Sequence, residues 1–277
     1  MNLRVAANGR HIAFALLVAG FSCSPVGGTS EADREILESV DRAFQEGIRS
    51  RQDREQARPH FRQAARNLEE LRRRGANNAM LYRNLGNAYL LADDLPRALL
   101  SYHRGLRLSP NDAALNELLA EARQLVVYPP SGDLGRPRRE DRAAWMPYVP
   151  GEWLMGATLA CYVVGCVAAT RSRMVRQTRY LLGGLFFLSA SALCAGGLLV
   201  RIAEERERAA HPLVVVARDE MPVRRGNGMA FPPRYETPLN RGVEGRLLLE
   251  REGWVQVELS GGEIGWLPRE AVLLDES

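Results

Sequence analysis

Two long apolar runs separated by nine residues constrain this chain more than any other feature. Residues 154–170 (LMGATLACYVVGCVAAT) and 180–202 (YLLGGLFFLSASALCAGGLLVRI) each match the roughly 17–25 residues a helix needs to cross a bilayer. Neither carries a charge in its middle, where an arginine would cost about 2.5–3.5 kcal/mol on insertion scales; Arg201 stands near the end of the second. The connector RSRMVRQTR holds Arg171, Arg173, Arg176 and Arg179 and no acid. Short arginine-rich connectors stay on the cytoplasmic side. The sequence therefore draws a transmembrane hairpin over residues 153–202 in the lipid bilayer, with a cytoplasmic loop at 171–179. The flanking segments then lie together on the outer, periplasmic face of a multi-pass inner-membrane protein. The competing reading is a pair of buried core helices. It is disfavoured because no other part of the chain is large enough to enclose them.

The amino terminus agrees with that orientation. Arg4, Arg10 and His11 precede the apolar stretch 12–22 and a run of small and turn-forming residues, the pattern of a secretory signal. Residues 1–30 are read as a signal peptide or N-terminal anchor. Cys23 raises lipidation as a third possibility, but Gly20 and Phe21 depart from the Leu-Ala-Gly-Cys pattern of lipoprotein sites. Any of the three delivers residue 31 onward to the outer side.

All 37 basic residues are arginine, and the net charge of +4 is matched by the hairpin connector alone. The basic balance is thus a topology signal and implies no nucleic-acid partner, which would need a basic face on a folded domain. Of the four cysteines, Cys161, Cys166 and Cys194 lie within the apolar runs and Cys23 at the signal exit. The outer segments contain no cysteine for disulfides or thiolate metal sites. The histidines, His11, His60, His103 and His211, are scattered, and no metal or other cofactor is expected.

Residues 31–126 read as an all-α unit. Residues 79–112 (AMLYRNLGNAYLLADDLPRALLSYHRGLRLSPND) have the 34-residue length of a tetratricopeptide repeat. Tyr82, Leu85, Gly86, Tyr89, Ala98, Tyr102 and Pro110 fall where that repeat places its large, small and terminating residues. Gly86 and Ala98 permit close approach of two antiparallel helices, the tyrosines fill the remaining space, and Pro110 ends the second helix. Upstream, Ala57, Phe61 and Ala64 repeat the spacing in a degenerate first unit, with Phe44 and Gly47 in its first helix. Residues 113–126 form an amphipathic cap. The concave face is expected to present Met80, Arg83, Asn87 and Leu90, with Arg83 and Asn87 one turn apart and able to grip a peptide carboxylate or backbone. A merely solvated polar face is the alternative, and the preferred one.

Residues 127–152 are a Pro-rich linker, and Trp145, Tyr148 and Trp153 suit a membrane–water interface or packing against the helical cap. Residues 212–277 then read as a small all-β unit. Residues 213–217, 255–259 and 263–267 are strand-like, with Ser260-Gly261-Gly262 as a hairpin turn. The segments VRRGNG (223–228) and GVEGRLLLEREGWVQVELSGGEIGWLPREAV (242–272) resemble the bacterial SH3 family, chiefly through the pairs Gly253-Trp254 and Gly265-Trp266. Asn227 stands where that family usually has proline. The tryptophans are assigned to the barrel core in preference to a ligand groove.

Signal, tetratricopeptide repeats, membrane hairpin and SH3-like barrel, in that order, resemble the BatE type of aerotolerance-operon protein. The resemblance implies a non-catalytic envelope role beside membrane proteins with von Willebrand A domains and a MoxR-class ATPase. The residues agree on catalysis: no HExxH, no phosphate-binding GxxxxGK[ST] loop and no exported cysteine nucleophile are present. Two functions remain. One is a scaffold that binds protein partners through the helical unit, and the other a tether whose SH3-like unit binds peptidoglycan or peptides.

Overall fold

The computed structural model describes residues 30–129, 136, 151–175 and 177–275. The signal or anchor segment with Cys23, and Trp145 and Tyr148 of the linker, lie outside the described residues. Within them the chain forms seven α-helices followed by a five-stranded antiparallel sheet. The first five helices are α1 (Glu31–Arg49), α2 (Arg54–Arg73), α3 (Ala79–Leu91), α4 (Leu95–Leu108) and α5 (Ala113–Gln124).

Short polar residues set where each of these begins. Ser30, Asp53, Asn78, Asp94 and Asp112 each accept a hydrogen bond from a backbone N–H of the first turn, satisfying donors that have no intrahelical partner. Ser30 and Asp33 do so reciprocally, as a capping box. A glycine lies under an aromatic ring in both helical hairpins. A Cβ added to Gly47 of α1 would lie 2.7 Å from the ring of Phe61 on α2, and Gly86 of α3 meets Tyr102 of α4 in the same way. Tyr102 is fully buried, and its hydroxyl donates to Asn87 Oδ1 at 2.8 Å. Leu85 and Ala98 are fully buried beside it.

The apolar runs form α6 (Gly151–Val175) and α7 (Thr178–Ala210), both long and apolar enough to cross a membrane. They pack antiparallel through small residues. Gly184 lies against the backbone of Gly165 and Ala169, Gly165 lies under Leu188, and Ser191 donates to the Thr158 carbonyl at 2.9 Å. Such contacts hold helix pairs that gain nothing from excluding water. Leu159, Phe186 and Leu193 are exposed on their outer faces.

The helices run past the expected boundaries. Arg171 and Arg173 belong to α6 and Arg179 to α7, so the connector is largely helical. Arginine is a good helix former, so each helix extends into the connector, α6 to Val175 and α7 from Thr178. At its other end α7 continues to Ala210, braced by Arg201–Glu205 and Glu204–Arg208 pairs at 3.1 Å. It reaches β1 within three residues. Its 33 residues span about 50 Å, longer than a hydrocarbon core.

The sheet has the order β4-β3-β2-β1-β5. Its strands are β1 (Leu213–Val216), β2 (Glu244–Arg251), β3 (Trp254–Leu259), β4 (Ile264–Pro268) and β5 (Val272–Leu274). Glu252 and Gly253, both at positive φ, make the two-residue turn between β2 and β3, the geometry that matches strand twist. Gly265 has a different reason to be glycine: Val223 packs directly on its Cα. Along β3 and β4, Val255, Val257, Leu259 and Leu267 are buried. Trp254 and Trp266 have the opposite parity and share the outer face, where both are half-buried. Neither indole belongs to the buried cluster of the sheet. The inner face is filled by valine and leucine, and the indoles cover the sheet from outside.

The sequence treats residues 31–126 and 212–277 as separate units, yet their buried side chains form one cluster. Leu95, Leu99 and Leu106 of α4 and Leu115 and Leu119 of α5 join Val214–Val216, Val243, Val257 and Leu267 of the sheet unit. A sheet unit of this size encloses too little apolar surface to be more than marginal alone, and docking on α4 and α5 enlarges its core. Gly242, at φ +90°, allows the close approach: a Cβ there would lie 2.9 Å from Val126 and 3.3 Å from Leu95 and Leu99. The start of the linker is drawn in as well, with Asn240 donating to the Val127 carbonyl at 3.1 Å.

Candidate functional site

Docking the sheet against the helices leaves a groove of about 770 Å³ at their junction. One face of α2 supplies Arg62, Ala65, Arg66, Glu69 and Arg73, at the three- and four-residue spacing that aligns side chains along a helix. The end of α3 adds Tyr89 and Ala92. Asp93 and Asp94 come from the next turn, Pro96 and Arg97 from the start of α4. Ala217 and Arg241 close the far side from the sheet unit.

Asp93 ties the three parts together. Held at φ 66° in the turn, it accepts from Arg58 of α2 at 2.8 Å and from Arg241 of the sheet unit at 3.4 Å. The other carboxylates of the wall are also matched. Glu69 accepts from Tyr89 Oη at 3.1 Å and from Arg72 at 2.7 Å, and Asp94 pairs with Arg97 at 2.7 Å. Burial, then the Glu69 carboxylate, pushes the Tyr89 phenol above its ordinary range, so it stays a neutral donor. Arg97 lies 5.8 Å from its ring centroid, close enough for a cation–π contact. The groove lining includes no serine, threonine, cysteine, lysine or histidine. Its polar wall is made by Tyr89, hydrogen-bonded to Glu69, and by the paired Asp93, Asp94 and arginines.

Met80, Arg83, Asn87 and Leu90, expected on a concave face, do not line this groove. Met80 and Arg83 are half-buried. The Asn87 side-chain carbonyl is occupied by Tyr102, and Leu90 packs against the shared core. Of the repeat positions, only Tyr89 reaches the groove.

A second polar cluster lies inside the junction. Glu244 is 5% exposed; it accepts from Arg123 Nε and Nη2 at 2.9 and 2.7 Å and lies 3.0 Å from His103 Nε2. Burial alone would raise its pKa, but the Arg123 hydrogen bonds and the His103 charge outweigh burial and hold it down at about 2. Asp275, equally buried, accepts from Arg104 at 2.8 Å and Arg107 at 2.7 Å. A histidine beside a carboxylate is the start of a general-base arrangement, but here an arginine occupies both carboxylate oxygens. Its role is to fasten the sheet to α4 and α5. Sequence reasoning found none of these residues in their roles, because each pair joins positions 121 to 171 residues apart.

Compared with protein families and with curated proteins, the chain matches none. Its functional reading rests on the geometry above.

Proposed function

We propose that the chain is a non-catalytic, membrane-anchored envelope scaffold that binds protein partners through its helical unit. In this reading α6 and α7 cross the inner membrane with the Arg-rich turn in the cytoplasm. The helical unit, of tetratricopeptide type, and the SH3-like sheet unit share the periplasmic side, as in BatE-type proteins. One observation carries the proposal. A groove of about 770 Å³ lies on a helical array docked to the sheet unit, which α7 joins to a lipid-suited hairpin. The test has two arms. A periplasm-dependent reporter fused after Asp275 is active, and one inserted among residues 171–179 is silent; the reverse pattern overturns the orientation. Co-purification from detergent-solubilised membranes recovers defined membrane proteins with the whole chain, and loses them when residues 31–126 are deleted.

A second reading, a wall tether acting through the SH3-like unit, draws on one specific observation. Trp254 and Trp266 share the outer face of the sheet and are only half-buried, which leaves indole surface for stacking. Sedimentation of the purified chain with isolated cell wall, lost on changing either tryptophan to alanine in a variant that stays folded, would favour the tether.

A further inference from the structure

We propose that the groove between α2, the α3–α4 turn and the sheet unit binds an extended acidic peptide segment with apolar side chains. The inference rests on the scaffold reading and names the chemistry of the partner. Every carboxylate in the groove wall is matched by an arginine or a tyrosine of the chain itself, so the charge left over is positive. It is concentrated on Arg62 and Arg66, exposed and one turn apart on α2. Among the described residues Arg62 has no ion-pair or hydrogen-bond partner, and Arg66 donates only to the neutral side chain of Gln63. The lining also includes the half-buried Tyr89 ring and the buried Ala65, Ala92 and Pro96, and the ring offers an apolar surface for an aliphatic side chain. A pure polyanion such as polyphosphate fits less well, because it would also face Glu69, Asp93 and Asp94. An acidic peptide meets both halves of the wall, with carboxylates for Arg62 and Arg66 and backbone N–H groups for the acidic rim. Since Ala217 and Arg241 close one side, the site exists only while the sheet is docked.

The test uses the full chain in detergent micelles and a short fluorescein-labelled peptide of glutamate, glycine and leucine, read by anisotropy. Its counterpart carries lysine in place of glutamate. The acidic peptide is expected to bind, to weaken with rising salt as exposed charge pairs do, and to exceed the lysine peptide in affinity. Arg62→Glu with Arg66→Glu should weaken it by about tenfold or more, the equivalent of roughly 1.4 kcal/mol. Arg251→Glu, away from the groove, should leave it unchanged. Both groove changes are at exposed positions, and an unchanged thermal midpoint verifies folding; if the double glutamate variant unfolds, the glutamine pair gives the same comparison. Equal affinity for the two peptides overturns the proposal, as does indifference to Arg62 and Arg66. Inorganic polyphosphate binding more tightly at the same arginines also overturns it, reassigning the site to phosphate polymers. Co-purification with the same variants separates this proposal from the scaffold reading. Partners retained by the double variant keep the scaffold and remove the groove. Arginine-dependent peptide binding without any co-purified partner keeps the groove and removes the scaffold.

Discussion

Arg123, near the end of α5, and Glu244, the first residue of β2, meet in a two-point ion pair at 2.9 and 2.7 Å, although 121 residues separate them in the chain. The apolar hairpin of α6 and α7 lies between them in sequence. The pair therefore joins the segment before that hairpin to the segment after it. With Asp275 and its two arginines it makes one body of the helical and sheet units.

Removing one partner leaves the other charged and buried, which costs about 3–5 kcal/mol. Arg123→Ala is expected to destabilise the chain on that scale. Hydrogen exchange should show α4, α5 and β1 losing protection together. Loss confined to the sheet would mean that the units fold separately.

The same carboxylate predicts acid sensitivity. Its folded pKa, about 2, lies below the ordinary value of 4.5, so its contribution is fully present above pH 4.5. It is lost as pH falls from there toward about 2, and a shift of this size corresponds to about 3 kcal/mol. Tryptophan emission of the whole chain, followed through that window, should show the sheet loosening. Glu244→Gln should remove this part of the pH dependence.

Gly242→Val is expected to undock the sheet without touching any strand. Its φ of +90° is strained for valine, and the new side chain would meet Val126, Leu95 and Leu99. Overpacking of this kind costs about 1–3 kcal/mol, and the backbone conformation adds about as much again. Limited proteolysis should then cut between the units faster than in the unmodified chain.

Inside the helical unit, Tyr102→Phe strands the buried Asn87 carbonyl, at a cost of about 1–3 kcal/mol. Gly86→Ala pushes a methyl group into the Tyr102 ring and should destabilise on a similar scale. Denaturant midpoints by circular dichroism check both. A neutral Gly86→Ala would mean that the ring can move aside.

The tryptophans and the sheet core should respond differently. Leu267 is fully buried, and Leu267→Ala is expected to cost about 2–5 kcal/mol. Trp254→Ala and Trp266→Ala remove half-buried rings and should cost less, leaving a folded sheet. A tryptophan variant as damaging as Leu267→Ala would return that indole to the core.

Local pattern alone makes the apolar helix pair, the α3–α4 pair and three of the strands legible in the amino-acid sequence. Apolar length determines α6 and α7, the Gly-and-aromatic spacing determines α3 and α4, and alternation determines β3. Each is a property of neighbouring residues, so one stretch of chain suffices. Even there, the helix ends escaped, because arginine continues a helix as readily as it marks a membrane boundary.

Only the tertiary structure decided which charges are buried and which are free. Arg62, Arg123 and Glu244 look alike in sequence, each a charged residue of the kind that ordinarily faces water. Docking of the sheet on α4 and α5 encloses Glu244 against Arg123, reserves Asp93 for Arg58 and Arg241, and leaves Arg62 and Arg66 uncompensated at the rim of a groove. The indoles fall on the outer face because the pleat of β3 and β4 turns their valine and leucine neighbours inward. A charge is solvated or paired according to the group that lies opposite it. At the junction of the helical and sheet units that group is more than a hundred positions away.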